Sequence, residues 1–204
     1  AGLAGCRSSG GNNGKLKLGV LSPSPGQSPT GTSIERGADL AVKQLNENGG
    51  VNGRDVELIK KDTEAEASTA KQRYQELLLG EGVQATFGVF TSEVLLTLMD
   101  VIAEQGKIHM TTGAATPQSA TQVSDNYEQY KYYFRTGPLN AVQLGQNMLD
   151  FAEGIFEDIG WSDVALIAED YEWTRPIYNM LEGGLADRNI NVALKQRYSS
   201  DTEN

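Results

Sequence analysis

The chain has 204 residues and a formal net charge of -10 at pH 7, with 17 Lys and Arg against 27 Asp and Glu. That acidity is spread along the chain and lacks the basic footprint that nucleic acid or an anionic membrane surface requires, so solubility is its ordinary consequence. A single cysteine (Cys6) excludes an intrachain disulfide, a single histidine (His109) leaves no usual metal cluster, and no stretch approaches the ~20 apolar residues of a membrane span.

Residues 7–14 are rich in Ser, Gly and Asn and have no apolar period, as expected of a flexible tether. Residues 15–21 alternate and then turn fully apolar, which predicts a first strand. A Pro/Gly/Ser loop follows. Thr32 and Glu35 form a capping-box pattern for a helix with Ile34, Ala38, Ala41, Val42 and Leu45 on its inner face, ending at Asn48-Gly49-Gly50. Residues 55–61 predict a second strand, 65–79 a polar helix, 83–90 a third strand, and 92–105 a helix with Leu95, Leu98, Met99 and Ile102 inward. Residues 107–112 predict a fourth strand, and the aromatic run 127–136 a fifth, broken by Pro138. The pattern then restarts with a helix over 141–159, a strand over 163–168, a helix over 174–188 and a strand over 191–196. Strand and helix in alternation predict an α/β fold with a doubly wound parallel sheet and right-handed crossovers. The restart predicts a second α/β unit, and two strands are too few for a stable core of its own. The chain is therefore expected to be shorter than its natural fold.

Two turns carry the functional signal. Gly88-Val89-Phe90-Thr91-Ser92 and Thr112-Gly113-Ala114-Ala115-Thr116 each follow an apolar strand and end in hydroxyl residues at its carboxyl edge. In open α/β sheets that edge is where small ligands sit, because backbone N–H groups and helix N-termini converge there. Ser92 is expected to cap the helix that follows, with its own N–H and the next two as free donors. Thr116, before Pro117, is held extended. Both hydroxyls can face one crevice, and Trp173 can close the other wall with a rigid apolar face. For each of the three a plainer role stands beside this one: helix cap, turn hydroxyl and packing aromatic. His109, on an apolar strand, reads as a satisfied core histidine. Gly10-Gly11-Asn12-Asn13-Gly14-Lys15 has the wrong spacing for a phosphate loop, and no Gly-x-Ser-x-Gly elbow is present. Asp62 and Asp170, at strand ends, are thin support for acid–base chemistry. No catalytic residue, metal or cofactor is expected.

Leu3-Ala4-Gly5-Cys6 resembles the lipobox of prokaryotic lipoproteins. That implies a signal-peptide remnant at 1–5, a lipid on Cys6 and a tether over 6–14. Together with Gly37-Ala38-Asp39-Leu40-Ala41, Asn46-Glu47-Asn48-Gly49-Gly50-Val51-Asn52-Gly53, the two turns and Phe134-Arg135-Thr136, the arrangement resembles the type I solute-binding proteins of ABC importers, in the branched-chain amino acid and amide group. The resemblance implies two α/β lobes closing on a ligand, with most of lobe one over 15–136 and an incomplete lobe two over 137–204, hinged near Thr136-Gly137-Pro138. It implies an extracytoplasmic, lipid-anchored receptor that hands an amino acid or amide to an ABC permease without turnover.

By the same resemblance Ser92, Ala114 and Thr116 would contact the ligand, Trp173 would stand where the family has an aromatic, and Thr30 where some members place another. Glu93 departs from the pattern: a carboxylate beside Ser92 would repel a ligand carboxylate, which leaves neutral amides and other polar solutes open. A sensor built on the same lobes is the first alternative, and a hydrolase or nucleotide-using enzyme the second.

Overall fold

The computed structural model describes residues 14–23, 29–137 and 140–199. Cys6, the segment 1–13 and Pro138 lie outside the described residues. Five strands form one sheet: β1 (Leu16–Ser22), β2 (Val56–Asp62), β3 (Ala85–Gly88), β4 (His109–Thr111) and β5 (Tyr133–Arg135). Their order is β2-β1-β3-β4-β5 and every pairing is parallel. All five carboxyl ends therefore point the same way. The order reverses between β1 and β3, the place where such sheets open a crevice at their carboxyl edge.

The helices follow from their sequence signals. In α3 (Ser92–Gln105), Val94, Leu95, Leu98, Met99, Val101 and Ile102 are buried at helical spacing. They pack with Leu21, Tyr74 and Leu77 into the main core. The helix stops at Gly106, whose left-handed backbone (φ 59°) lets its N–H reach the last carbonyls. α1 (Pro29–Glu47) lies over β1 and β2, and α2 (Ala67–Gln75) runs into a π-helical turn at Glu76–Gly80. Helices α4 (Gln118–Asp125) and α5 (Tyr127–Tyr130) lead into β5.

A second unit follows. α6 (Ala141–Ile159) opens with Asn140 in a reciprocal capping box with Gln143 and closes at Gly160 (φ 70°). β6 (Asp163–Glu169) and β7 (Asn191–Tyr198) form a two-stranded parallel sheet, joined by α7 (Thr174–Asp187). Ala141, Leu149, Leu166, Ile177, Leu181 and Leu185 make a separate small core.

Three local expectations are corrected. The Thr32–Glu35 capping box does not form. α1 starts earlier, at Pro29, a residue suited to the first turn, and Glu35 instead accepts the Ser22 hydroxyl at 2.7 Å. Of the inner face expected for that helix only Ala38 is buried, while Ala41 and Leu45 are exposed, because α1 covers the β2 edge of the sheet. The aromatic run 127–136 is a strand only at Tyr133–Arg135. Its first half is helical, with the Gln129 and Tyr130 N–H groups on the Asn126 carbonyl and the Tyr130 hydroxyl on Asp100 at 2.7 Å.

His109 is fully buried, with Nδ1 2.9 Å from the Thr86 hydroxyl and its ring edge-on to Tyr74. Burial pushes its pKa down to about 3, so the folded protein holds it neutral while the unfolded chain takes up a proton below about 6.5. Stability is therefore lost as pH falls from about 6.5 toward 3, by about 1.4 kcal/mol per pH unit from this group. In urea unfolding at pH 7 and pH 5, the wild type should lose about 2 kcal/mol more than His109→Gln. Equal losses would show that His109 is protonated in the native state.

Candidate functional site

A cavity of about 530 Å³ opens at the carboxyl edge of the five-stranded sheet. Four of the five strand ends contribute to it: Pro23 follows β1, Ala65 follows β2, Phe90 and Thr91 follow β3, and Gly113 and Ala115 follow β4. The second unit faces them with Glu169, Tyr171 and Trp173 from the end of β6 and the turn after it. Glu93, in the first turn of α3, completes the wall. Size and character, apolar and aromatic with a few polar groups, suit a small organic solute.

The two tips meet because glycine lets them. At Gly88 the backbone is left-handed (φ 113°), and a Cβ there would lie 2.1 Å from the Leu21 carbonyl oxygen. Val89 next to it is also at positive φ (63°), an unusual place for a β-branched residue. It is held there by burial and by its N–H on Leu21 O at 2.7 Å. Two successive residues of this kind turn the chain out of the sheet and send Phe90 and Thr91 to the cavity wall. At Gly113 a Cβ would lie 2.6 Å from the Phe90 ring, so a larger residue would push that ring aside. Strain of this kind collects at ligand sites.

The kink also decides where the sequence-predicted residues go. Thr91, not Ser92, holds the cap position of α3, in extended backbone and with no side-chain cap bond. Ser92 is the first helical residue, 1% exposed. Its hydroxyl oxygen accepts the Thr116 N–H at 3.1 Å, which ties the two tips together. Thr116 is fully buried, and its own hydroxyl oxygen accepts the Gln118 N–H at the start of α4. Ala114 is fully buried, its carbonyl bonded by Arg135 Nη1 at 2.5 Å. Arg135 also donates to Thr116 O at 2.7 Å and Ser119 Oγ at 3.1 Å, stapling this loop from behind. Ser92, Ala114 and Thr116 are thus brought together as the framework of the tips, while the residues beside them line the cavity. Trp173 does line it, half-buried on the second-unit wall. Thr30 lies in the first turn of α1, half-buried and away from that lining.

Phe90, Gly113 and Ala115 belong to the two turns that carry the functional signal, whereas Glu169 and Tyr171 lie outside them. The same carboxyl-edge rule reaches Glu169 and Tyr171 once β6 is extended by one residue. The two units also touch across the cleft. The Glu172 N–H donates to Glu93 Oε1 at 2.7 Å, Gln118 Nε2 donates to Glu172 Oε1 at 2.7 Å, and the Ala141 N–H donates to the Ala115 carbonyl at 2.8 Å. Among the described residues no group of three or more His, Cys, Asp or Glu side chains is placed to hold a metal ion.

A family model described as periplasmic binding protein matches residues 15–204. The chain belongs to this family. It is 34% identical over 131 residues to the chemotactic signal transduction system substrate-binding protein BasB of Halobacterium salinarum, covering 63% of this chain and 31% of that one. It is 25% identical over 188 residues to Leu/Ile/Val-binding protein homolog 7 of Brucella suis, covering 92% and 46%. The crystal structure of the branched-chain amino acid transporter substrate-binding protein LivJ of Streptococcus pneumoniae, in complex with isoleucine, superposes with a TM-score of 0.71 at 20% identity, covering 92% of this chain and 51% of that one. The chain thus spans about a third to a half of the length of these three proteins. The fold is that of the two-lobe, type I periplasmic binding proteins.

Two substitutions test the framework. Gly88→Ala should cost about 3 kcal/mol in chemical unfolding, since it meets a backbone oxygen at a positive φ. Ser92→Ala leaves the buried Thr116 N–H without its acceptor and should cost about 1–3 kcal/mol. A loss near zero for either would show that the tips do not depend on that contact.

Proposed function

We propose that this family member is a solute receptor of an ABC importer that holds a small organic molecule in the cavity between its two units without transforming it. The observation that carries this reading is the cavity itself, where the carboxyl ends of β1 to β4 face the end of β6. Family membership supports it, and so does the convergence of α3's first turn with two hydroxyl-bearing tips. In this reading residues 15–136 and 137–204 act as the lobes, with the hinge near 136–138. Trp173, Tyr171 and Thr91 make side-chain contact with the solute, while Ser92, Ala114 and Thr116 hold the backbone donors in place. Ligand contacts made only when the lobes are together would stabilise the closed state. The branched-chain solutes named for the Brucella and Streptococcus proteins make amino acids and their amides the first compounds to try. The partner would be a membrane permease, and the place of action outside the cytoplasm. The lipobox-like Leu3-Ala4-Gly5-Cys6 supports anchoring through a lipid on Cys6.

A second reading has one specific observation behind it. The chain's likeness to BasB, a substrate-binding protein of a chemotactic system, favours a receptor that reports its solute to a signalling partner. Both readings use the same cavity and differ only in what docks on the liganded protein.

A thermal-shift screen with amino acids, amides and aromatic acids tests the binding claim. At least one class should raise the melting temperature saturably, with no product formed, and Trp173→Ala should weaken that ligand about tenfold or more. Flat curves throughout, or an unchanged affinity in Trp173→Ala, would remove the cavity as the site. Intact-mass analysis of membrane-extracted protein should show a diacylglyceryl adduct on Cys6, and an unmodified thiol would remove the anchor.

A further inference from the structure

The charges around the cavity are one-sided. Glu93 and Glu169 line it from opposite units, and among the described residues no lysine or arginine does. The arginines nearby are engaged elsewhere. Arg135 spends both terminal nitrogens on Ala114 O, Thr116 O and Ser119 Oγ behind the loop. Arg175 pairs with Asp170 and Glu172, and Arg197 with Asp170. Glu93 is itself half satisfied: Oε1 accepts the Glu172 N–H, whereas Oε2 is buried with no hydrogen-bond partner. A carboxylate with one oxygen buried and undonated is costly, and a cation held nearby offsets part of that cost through its charge. The remaining walls are Phe90, Tyr171 and Trp173, whose ring faces attract organic cations.

Resting on the cavity as the binding site, we propose that its ligand class is organic ammonium: a solute with a protonated or quaternary nitrogen and no free carboxylate. The nitrogen sits on the side of the cavity that Glu93 and Glu169 line, and the hydrocarbon part lies against Phe90, Tyr171 and Trp173. The first turn of α3 cannot serve a ligand anion, because Glu93 already places a carboxylate there. An anionic solute would meet two like charges and, among the described residues, no lysine or arginine in the lining, which is a device for exclusion as much as for selection.

Four compounds of one shape separate charge from fit: leucinamide (cation), leucine (zwitterion), 4-methylpentanamide (neutral) and 4-methylpentanoate (anion). The full chain carrying Trp161→Phe keeps Trp173 as its sole tryptophan, and its fluorescence is followed at pH 6.5, where the leucinamide amine is protonated. Leucinamide should bind about tenfold or more tighter than leucine, with 4-methylpentanoate weakest of the four. Glu93→Gln and Glu169→Gln should each weaken leucinamide about tenfold and leave 4-methylpentanamide unchanged. Leucine or 4-methylpentanoate binding as tightly as leucinamide, or Gln variants with unaltered leucinamide affinity, would overturn the charge selection and leave the cavity standing as a site. No saturable response to any of the four would overturn the cavity and the charge selection together.

Discussion

The structure depends most on the close approach of two strand ends. β3 and β4 run side by side in parallel, with Gly88 opposite Thr111, so the segments after them must leave the sheet at the same edge. The β4 tip passes Phe90, and the end of β3 turns against β1, only where a side chain is missing. Gly88 stands against the Leu21 carbonyl and Gly113 against the Phe90 ring, both closer than a Cβ tolerates. The hydrogen bond from the Thr116 N–H to Ser92 Oγ then fixes the spacing. Arg135 locks the far side of the β4 tip by bonding carbonyls that the irregular loop leaves unpaired. The cavity is what remains in front of this arrangement.

Burial of the hydroxyls follows from the same constraint. The Ser92 and Thr116 hydroxyls each accept a backbone N–H, so both help to hold the tips. The cavity lining is made by their neighbours in the same turns, Thr91, Glu93, Gly113 and Ala115. Division of labour between a rigid, hydrogen-bonded inner layer and a contacting outer layer is how ligand geometry is held to fractions of an ångström. The strain at Val89 fits the same scheme: tertiary packing over-determines a backbone that valine disfavours, and the gain is the placement of Phe90 and Thr91.

Much of this was legible in the sequence. Asn140 with Gln143 marks the start of α6 and Gly160 its end, and the expected span 141–159 agrees with the observed Ala141–Ile159. The apolar spacing of Leu95, Leu98, Met99 and Ile102 likewise places α3, Ser92–Gln105. The parallel sheet and the carboxyl-edge location of the tips follow from alternation and topology alone. What escaped was finer. A valine in left-handed backbone leaves no local signature, because only the packed neighbours enforce it, and it rotates the tip by one residue relative to a simple strand ending. Tyr127 and Tyr130 have strand propensity, yet Asn126 and the Asp100 contact turn them into a helical turn. Propensity loses wherever tertiary partners are this specific.

The contacts between the two units set how a solute could act on them. Gln118 to Glu172 is an exposed hydrogen bond, and such contacts contribute little in water. Glu172 N–H to Glu93 is better sheltered and charge-assisted, so it is the stronger of the two. It also joins opposite walls of the cavity through Glu93, so a cation bound beside Glu93 would act on the same carboxylate that already bridges the units. Ligand and interface would then be coupled through one side chain. Such a solute favours the closed arrangement by its contacts to both walls, and the differential affinity for closed over open is all the free energy available to move the equilibrium. Phe90 from the first unit and Tyr171 and Trp173 from the second line opposite walls of the cavity, and an organic ligand that touched all three would supply that difference without further charge.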